Sequence, residues 1–446
     1  IIDNDGNPLP GASVIIQNSI IGASTNSNGY FSFNVKKGEY NLEISFLGYE
    51  KQVLNIVVPD LGLNIGKVEL KSTGYLTDEV VVKATRAGEN FPMAFTNIDS
   101  EELQKRNVVE DIPYLLELTP SFVATSEAGI GIGYTNFRIR GTDPTRMNVT
   151  VNGIPLNDSE SQGVFWVNMP DFASSVSNVQ IQRGVGTSTN GGAAFGASLN
   201  FQTAQYSTKP YAKISAAAGS FNTHKQNILA GTGILDNGFS VDVRLSNLHS
   251  DGYVYNSFSD HQSFMISSAW HGENSLIRAN VISGKEKTGI SWWGCPADSL
   301  ETNRTFNPAG VYIDPNGEYQ YYHNQTDNYN QTHYQLIFSH KANRNLDLNM
   351  ALHYTKGAGY YEQFKNNDDL SNYLLEPVEI EVPPTIIGSD TVQNSPVSIS
   401  QTDIIRRRMM DNHFYGTTVS ANYQKNRVNA SFGGGWNRYD GDHFGN

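Results

Sequence analysis

The residues of this sequence best suited to chemistry are aromatic side chains with polar ends, concentrated in residues 284–333. The members that we single out are Trp292, Trp293, Tyr321, Tyr322 and His323. Such side chains combine a large contact area with a hydrogen-bonding group and lose little conformational entropy on binding, so they suit recognition of a ligand. Packing of a long loop on itself explains the same composition and stays open as the alternative.

Catalytic and metal-binding patterns are missing from the sequence. It contains no GxSxG turn that would expose a nucleophilic serine, no HExxH pair and no GxxxxGK[ST] phosphate loop. Its 10 histidines are scattered without the spacing of a zinc site. The one cysteine, Cys295, excludes an internal disulfide. We therefore expect a binding protein with no enzymatic activity, no metal site and no cofactor.

The composition restricts the protein class further. The chain has 446 residues, and 31 Lys and Arg stand against 44 Asp and Glu, which gives a net charge of −13. That balance lacks the basic surface that nucleic acid binding requires. Aromatic residues make up 11% of the chain, too many for long disorder. No run of about 18 apolar residues predicts a membrane-spanning helix, whereas membrane-spanning strands have only about 9–11 residues and escape such a search.

Residues 1–71 form the first predicted unit. Short apolar segments alternate there with turn signals, which is typical of a small β-sandwich. The predicted strands are Val14–Ile16, Tyr30–Val35, Tyr40–Phe46, Val53–Val58 and Val68–Leu70. The strings GNPLPGASV, TNSNGYFSF and YNLEISFLGYE resemble the carboxypeptidase regulatory-like domain, and this resemblance implies a transthyretin-like β-sandwich.

Residues 72–90 are predicted to be a linker with one apolar patch. Val80, Val81 and Val82 form the patch, directly after Asp78 and Glu79. An exposed extended segment of this kind can add as a strand to a partner's sheet edge, where main-chain hydrogen bonds supply affinity. An edge strand of the first unit is the alternative that these residues leave open.

Residues 91–205 form the second predicted unit, which begins with two short helices. Ser100 is the predicted N-cap of the first helix, with acidic residues in the first turn. Four strings follow in order: FRIRG, MNVTVNGIP, VSNVQIQRG and NGGAAFGASLNFQT. Together they resemble the mixed α/β plug domain of TonB-dependent receptors. The resemblance places that family's TonB box on Asp78, Glu79, Val80, Val81 and Val82, which favours the partner-strand interpretation of the linker.

Residues 206–446 alternate apolar and polar side chains over about nine predicted strands. In one strand Leu346, Leu348, Met350 and Leu352 alternate with polar neighbours such as Asn349. A soluble sheet with one wet face shows this pattern, and so does a membrane barrel. Because a plug implies a barrel, we expect the N-terminal part of a 22-stranded antiparallel transmembrane β-barrel, in a chain that is a fragment of a longer precursor.

The resemblance also implies roles for single residues. Arg138, Arg140 and Arg183 would seat the plug by pairing with carboxylates on the inner barrel wall, since arginine holds carboxylates bidentately. The plug loops 125–135 and 157–168 would face outward and bind ligand. Their candidate ligand-binding residues are Tyr134, Phe165 and Trp166.

The function that this resemblance implies is active import across the outer membrane. The partners would be TonB of the TonB–ExbB–ExbD complex, outer-membrane lipids, a ferric siderophore or similar chelate and, as a further option, a surface lipoprotein. The N-terminal unit and the TonB box would lie in the periplasm. Cobalamin, haem or an oligosaccharide are alternative cargoes, and a secreted β-rich adhesion protein without transport is the alternative from another class.

Overall fold

The computed structural model is mainly β, as the sequence predicts. Strands account for 54% of it and helices for 7%. It describes residues 1–446 except 4–5, 18, 20, 47–48, 72–85, 87–92, 186–193, 204–206, 208, 389, 426–427 and 446. Within this described part, no helix is both long and apolar enough to cross a membrane.

The N-terminal unit contains one four-stranded antiparallel sheet in the order β2-β1-β3-β4. Its strands are β1 (Ser13–Ile16), β2 (Gly22–Ser24), β3 (Gly38–Ser45) and β4 (Gln52–Val58). The strand predicted at Tyr30–Val35 is absent from the described ladders, although Phe31 and Phe33 pack against the core. Val68–Leu70 contributes only a single bridge, between Glu69 and Ile2. The alternating pattern therefore predicts correctly that Phe31 and Phe33 contact the core, but contact with the core does not by itself make a segment pair as a strand.

The second unit, called here the plug unit (residues 94–203), is a mixed sheet with short helices. The five-stranded sheet has the order β5-β10-β11-β8-β9, and only β11 and β8 run parallel. Its strands are β5 (Ala94–Asp99), β8 (Met147–Val151), β9 (Ile154–Pro155), β10 (Asn178–Arg183) and β11 (Ala197–Gln202). A separate pair comprises β6 (Phe122–Ser126) and β7 (Thr135–Ile139), and the α-helices are α1 (Ser100–Arg106) and α2 (Ile112–Leu115).

Local signals in the plug unit are mostly where the sequence predicts them. The N-cap of α1 is an exception, because Asp99 rather than Ser100 accepts the hydrogen bond from the Glu102 amide, at 2.9 Å. Between β8 and β9, Asn152 and Gly153 have positive φ angles of 55° and 77°. A tight two-residue hairpin needs this conformation at both central positions, and the Asn-Gly pair supplies it.

The remaining chain forms a nine-stranded antiparallel sheet, called here the wall. Its strands are β12 (Tyr211–Ala218), β13 (His224–Gly231), β14 (Phe239–Ser250), β15 (Ser259–His271), β16 (Ser275–Gly289), β19 (Thr326–Asn343), β20 (Leu346–Asp369), β25 (Gln401–Lys425) and β26 (Val428–Gly445). The long loops between wall strands contain further short strands: β17 (Val311–Ile313), β18 (Tyr319–Tyr321), β21 (Val378–Ile380), β22 (Thr385–Ile387), β23 (Asp390–Val392) and β24 (Val397–Ile399).

The wall turns its apolar face outward and its polar face toward the plug unit. Leu245 is 51% exposed, whereas its neighbour Arg244 is 1% exposed. The same inversion recurs on β20, where Leu352 is exposed and His353 is buried. Met265 and Ile282 point inward and join the core of the plug unit. An apolar exterior and a polar interior are typical of a membrane barrel filled by protein.

The wall strands extend farther than the sequence predicts. Loops are expected at 284–330 and 356–411, but β16 continues to Gly289 and β20 to Asp369. The strands β20 and β25 have 24 and 25 residues, well beyond the roughly 9–11 that cross a bilayer. Their outer parts carry polar residues on both faces, so the ladder continues where the alternating pattern has ended.

Candidate ligand-binding site

An open cavity of about 910 Å³ lies between the plug unit and the wall. The plug side consists of residues 156–165, called the apex loop, and residues 127–134, called the tyrosine loop. The other side consists of inward-facing residues of β19, β20, β25 and β26. A concave site of this size, formed between two loops of the plug unit and the sheet of the wall, can enclose a small organic molecule or chelate.

The apex loop is held in place by side chains of its own sequence. Asn157 donates hydrogen bonds to the carbonyl oxygens of Met147 and Gln162, both at 2.8 Å, and accepts one from the Val149 amide at 2.8 Å. Asp158 accepts hydrogen bonds from the Ser161 amide at 2.7 Å and the Glu160 amide at 3.1 Å. The loop is therefore preorganised, which lowers the entropic cost of binding a ligand.

The tyrosine loop brings Tyr134 against the wall. Gly133, with a φ of 85°, allows this close approach, because a Cβ there would lie 2.8 Å from Ser259 Oγ of β15. The Tyr134 hydroxyl donates a hydrogen bond to Asp327 of β19. Its ring meets Trp292 edge-on at 5.6 Å between centroids. Tyr134, Asp327 and Trp292 all line the cavity. The hydrogen bond between Tyr134 and Asp327 therefore holds the plug unit against the wall and also borders the cavity.

Carboxylates dominate the charge of the cavity. Glu127, Asp158, Glu160 and Asp327 line it, and Arg408 is the one lysine or arginine among its described lining residues. Glu160 forms an ion pair with His443 of β26 at 2.8 Å. Burial raises the pKa of Glu127 to about 7, since the tyrosine loop shields that carboxyl from water.

Three of the eight residues predicted to bind ligand line this cavity: Tyr134, Phe165 and Trp292. Trp166 does not, and its proposed role is corrected. It is 2% exposed and belongs to the core of the plug unit, where its ring lies 5.8 Å from that of Phe201. The adjacent positions 165 and 166 face opposite ways, so only Phe165 reaches the cavity.

The other four predicted residues lie in the loop between β16 and β19, outside the cavity lining. Trp293 is exposed, and Tyr321 packs on Tyr255 at 4.4 Å between ring centroids. Tyr322 stacks on Phe364 at 5.6 Å. His323 lies 6.4 Å from the Tyr255 ring. These contacts join the loop to the β14–β15 connection and to β20, and ligand binding by these four residues stays a prediction.

The three arginines predicted to seat the plug make no ion pair with a carboxylate of the wall in the described part of the chain. Arg138 and Arg140 are exposed. Arg183 donates a hydrogen bond to the Pro120 carbonyl oxygen at 3.2 Å, within the plug unit. Their pairing with the barrel therefore stays a prediction. Gln180 and Gln182, which stand where many members of the resembled family carry an acid, are buried and bond to each other at 2.8 Å.

A buried ionic contact between the plug unit and the wall places the acid on the plug unit and the bases on the wall, opposite to the predicted arginine pairing, and the sequence analysis missed it. Asp171 of the plug unit meets Lys225 of β13 at 2.6 Å and Arg244 of β14 at 3.3 Å. Asn227 adds a hydrogen bond to the same carboxylate at 2.6 Å. Burial would raise the pKa of Asp171, but the charges of Lys225 and Arg244 outweigh it and hold that pKa below its usual value. No sequence pattern predicts this contact, because it joins an aspartate in a loop to two bases on separate strands.

A second buried acid, Asp111, lies at the start of α2, and none of the bases that the structure describes forms an ion pair with it. Thr135 donates a hydrogen bond to its carboxyl group at 3.2 Å. Burial raises the pKa of Asp111 to about 8, so the carboxyl group is largely protonated at neutral pH. The predicted TonB box, Asp78 to Val82, lies outside the described residues.

Comparisons with known proteins agree with this architecture. The CarboxypepD_reg-like domain family matches residues 1–82, and the TonB-dependent receptor plug domain family matches residues 88–198. The TonB-dependent receptor P39 of Formosa agariphila is 32% identical over 146 residues, which cover 32% of this chain and 13% of that protein.

Solved structures share the fold. The ferric preacinetobactin receptor BauA of Acinetobacter baumannii aligns with a TM-score of 0.58 and 11% identity, over 81% of this chain and 49% of its own. The copper transporter OprC aligns with a TM-score of 0.55 and 13% identity, over 79% of this chain and 47% of its own. The chain thus spans about half the length of the solved structures that it matches.

A regulatory-like domain, a plug unit and a wall of inverted polarity match the architecture of plugged β-barrel receptors. The chain contains a CarboxypepD_reg-like domain and a TonB-dependent receptor plug domain, and it is similar to a TonB-dependent receptor. TonB-dependent receptors are transporters and not enzymes. They are β-barrel proteins of the outer membrane.

Proposed function

We propose that this receptor imports a ferric siderophore or similar iron chelate by TonB-dependent active transport, without making or breaking a covalent bond. The observation that carries the proposal is the cavity of about 910 Å³ shared by the apex loop, the tyrosine loop and the wall. A ligand there touches the plug unit and the wall at once, so its binding free energy can change the contact between them.

The residues that line the cavity support a chelate as ligand. Its lining combines aromatic rings with methionines, Met409 and Met410 among them, and with polar groups that fix orientation. BauA is a ferric preacinetobactin receptor and OprC a copper transporter, so two proteins of this fold handle a transition metal. Cobalamin, haem and oligosaccharides are the competing cargoes.

The route from binding to transport runs through the tyrosine loop. A ligand that displaces Tyr134 from Asp327 loosens one contact that seats the plug unit. The segment Asp78 to Val82 then becomes available in the periplasm and adds as a strand to TonB of the TonB–ExbB–ExbD complex. The membrane's proton-motive force supplies the work that moves the plug unit.

Deletion of residues 78–82 separates binding from transport. We expect the deleted receptor to bind the ferric chelate like the intact one and to lose nearly all uptake of radioactive iron by cells. Deletion of five residues in the exposed loop 314–318 is the matched control and should leave both unchanged. Uptake that persists without residues 78–82 would contradict the proposed role of this segment.

A further inference from the structure

We propose that the cavity selects ferric chelates by charge and binds those that present a cationic group to the carboxylates of Glu127 and Asp327, with the buried Glu286 on the neighbouring strand behind them. The inference rests on the proposed function and adds to it the chemical class of the chelate. It predicts a positively charged or neutral chelate, such as a ferric hydroxamate, and rejection of a polyanionic ferric catecholate.

The first support is the distribution of charge around the cavity. Glu127 and Asp327 lie where the tyrosine loop meets the wall, on the shielded side of the site. The exposed Arg408 donates a hydrogen bond to the Tyr361 hydroxyl at 3.1 Å. No carboxylate of the described residues forms an ion pair with Arg408, so its charge faces solvent while the carboxylates lie deeper.

The second support is a buried carboxylate that has no counter-ion. Glu286 of β16 is 1% exposed, and among the described residues no donor hydrogen-bonds to either of its carboxylate oxygens. Alternation along β16 places it on the inward face, directly opposite Tyr329 of β19. Tyr329 and Asp327, which follows the same inward face of β19, both line the cavity.

Among the described residues, no base forms an ion pair with Glu286. His261 of β15 lies opposite on the other side and is also buried, with both ring nitrogens lacking a hydrogen-bond partner in the described part of the chain. The Tyr134 hydroxyl donates its hydrogen bond to Asp327. A buried carboxylate without a partner is costly, and a cationic ligand group that approaches it removes that cost.

The chemistry of ferric chelates turns this arrangement into selectivity. Three hydroxamates neutralise the charge of ferric iron, and a pendant ammonium group then makes the chelate cationic. Three catecholates carry twice the negative charge of three hydroxamates, so their ferric complex is a polyanion. Like charges repel strongly in a site shielded from water, so the carboxylates exclude the second class and attract the first.

Ferrioxamine B and its N-acetyl derivative test the inference directly, because they share one ferric hydroxamate core and differ by one ammonium charge. With purified receptor, we expect ferrioxamine B to bind at least about tenfold more tightly, equivalent to about 1.4 kcal/mol. Ferric enterobactin, a catecholate, should bind more weakly than either. This comparison needs no variant and therefore cannot fail through misfolding.

The double variant Glu127→Gln, Asp327→Asn should bring the two hydroxamate affinities close together. Both replacements keep the side-chain shape, and asparagine at position 327 still accepts a hydrogen bond from Tyr134. Glu301→Gln, which removes an exposed acid outside the cavity lining, should preserve the wild-type ratio. Catecholate binding as tight as hydroxamate binding, or a wild-type ratio near one, would overturn the inference alone. Failure of every ferric chelate to bind would overturn the proposed function as well.

Discussion

At the scale of single residues, Asp171 makes a buried ionic contact with two bases between the plug unit and the wall. Its side chain, that of Lys225 and that of Arg244 are all almost fully buried. Asp171 also has a positive φ of 51°, which few residues other than glycine adopt. The backbone conformation favours glycine, asparagine or aspartate at this position, and the two bases of β13 and β14 favour the charged member of that set.

Asp171→Asn should destabilise the seating of the plug unit. Lys225 and Arg244 would stay buried without a counter-charge, which costs about 3–5 kcal/mol for a broken buried pair. We expect a lower urea midpoint and faster proteolysis of the plug unit in the purified receptor. Glu117→Gln, an exposed acid of the same unit, is the control and should behave like the wild type. Equal midpoints for Asp171→Asn and Glu117→Gln would show that the ionic contact contributes nothing.

Asp111 predicts that the stability of the protein falls as the pH rises. Burial raises its pKa from 3.8 to about 8, so the folded protein holds this proton more tightly than the unfolded chain does. The stabilisation is fully present below pH 3.8 and is lost as the pH rises to about 8. Asp111→Asn, which resembles the protonated form, should flatten this decline in urea midpoints measured across the range. A smaller slope should remain because burial also raises the pKa of Glu127, to about 7. An unchanged slope in Asp111→Asn would contradict this account.

At the scale of elements, the apex loop depends on one amide side chain. Asn157→Ala removes three hydrogen bonds of 2.8 Å that link the loop to β8 and to its own far end. We expect affinity for the ferric chelate to fall about tenfold or more, because the loop must then be ordered on binding. The protein should still fold, since the core of the plug unit is untouched.

Asn274→Ala is the control, because Asn274 is exposed in the turn between β15 and β16 and lies outside the cavity lining, where its backbone carbonyl accepts a hydrogen bond from the Lys341 amide. Its affinity should equal that of the wild type. If Asn157→Ala also retained full affinity, preorganisation of the loop would have no part in binding.

Elements were predictable from sequence where local patterns determine them. The string FRIRG becomes the end of β7, MNVTVNGIP becomes β8 and β9, and the next two strings become β10 and β11. Turn chemistry at Asn152 and Gly153 and strict alternation on the wall carry these predictions. There are two kinds of exception. The residues of Tyr30–Val35 alternate in polarity but form no strand pairing, whereas the outer part of β20 is paired although its alternation has ended.

The candidate site was predictable only in part, since it depends on contacts between residues far apart in the sequence. Tyr134 and Asp327 are separated by 193 positions, and Glu160 and His443 by 283. The family resemblance indicated Tyr134 and Phe165, and the aromatic composition of the long loop indicated Trp292, all of which line the cavity. Neither signal could separate them from the core residue Trp166. No local pattern connects Asp171 with Lys225 and Arg244.

At the scale of the whole molecule, the polarity of the wall predicts where substitutions are tolerated. Leu352→Arg places a charge in the outward apolar belt, which costs about 2–4 kcal/mol near the middle of a bilayer. We expect a loss of folding into lipid vesicles, measured as the yield of the heat-resistant, protease-resistant form. Leu300→Arg, at a leucine that is 46% exposed in the loop between β16 and β19, should fold normally. Equal yields from the two variants would place the belt outside lipid.

The central claim is that the cavity between the plug unit and the wall binds an iron chelate. Its most direct test is equilibrium titration of the purified receptor in detergent with ferric siderophores, the same siderophores without iron, cobalamin and oligosaccharides. We predict tight binding of a ferric siderophore that is lost without iron and weakened by Asn157→Ala. Binding of cobalamin or an oligosaccharide alone would contradict the proposed cargo while keeping the receptor a transporter.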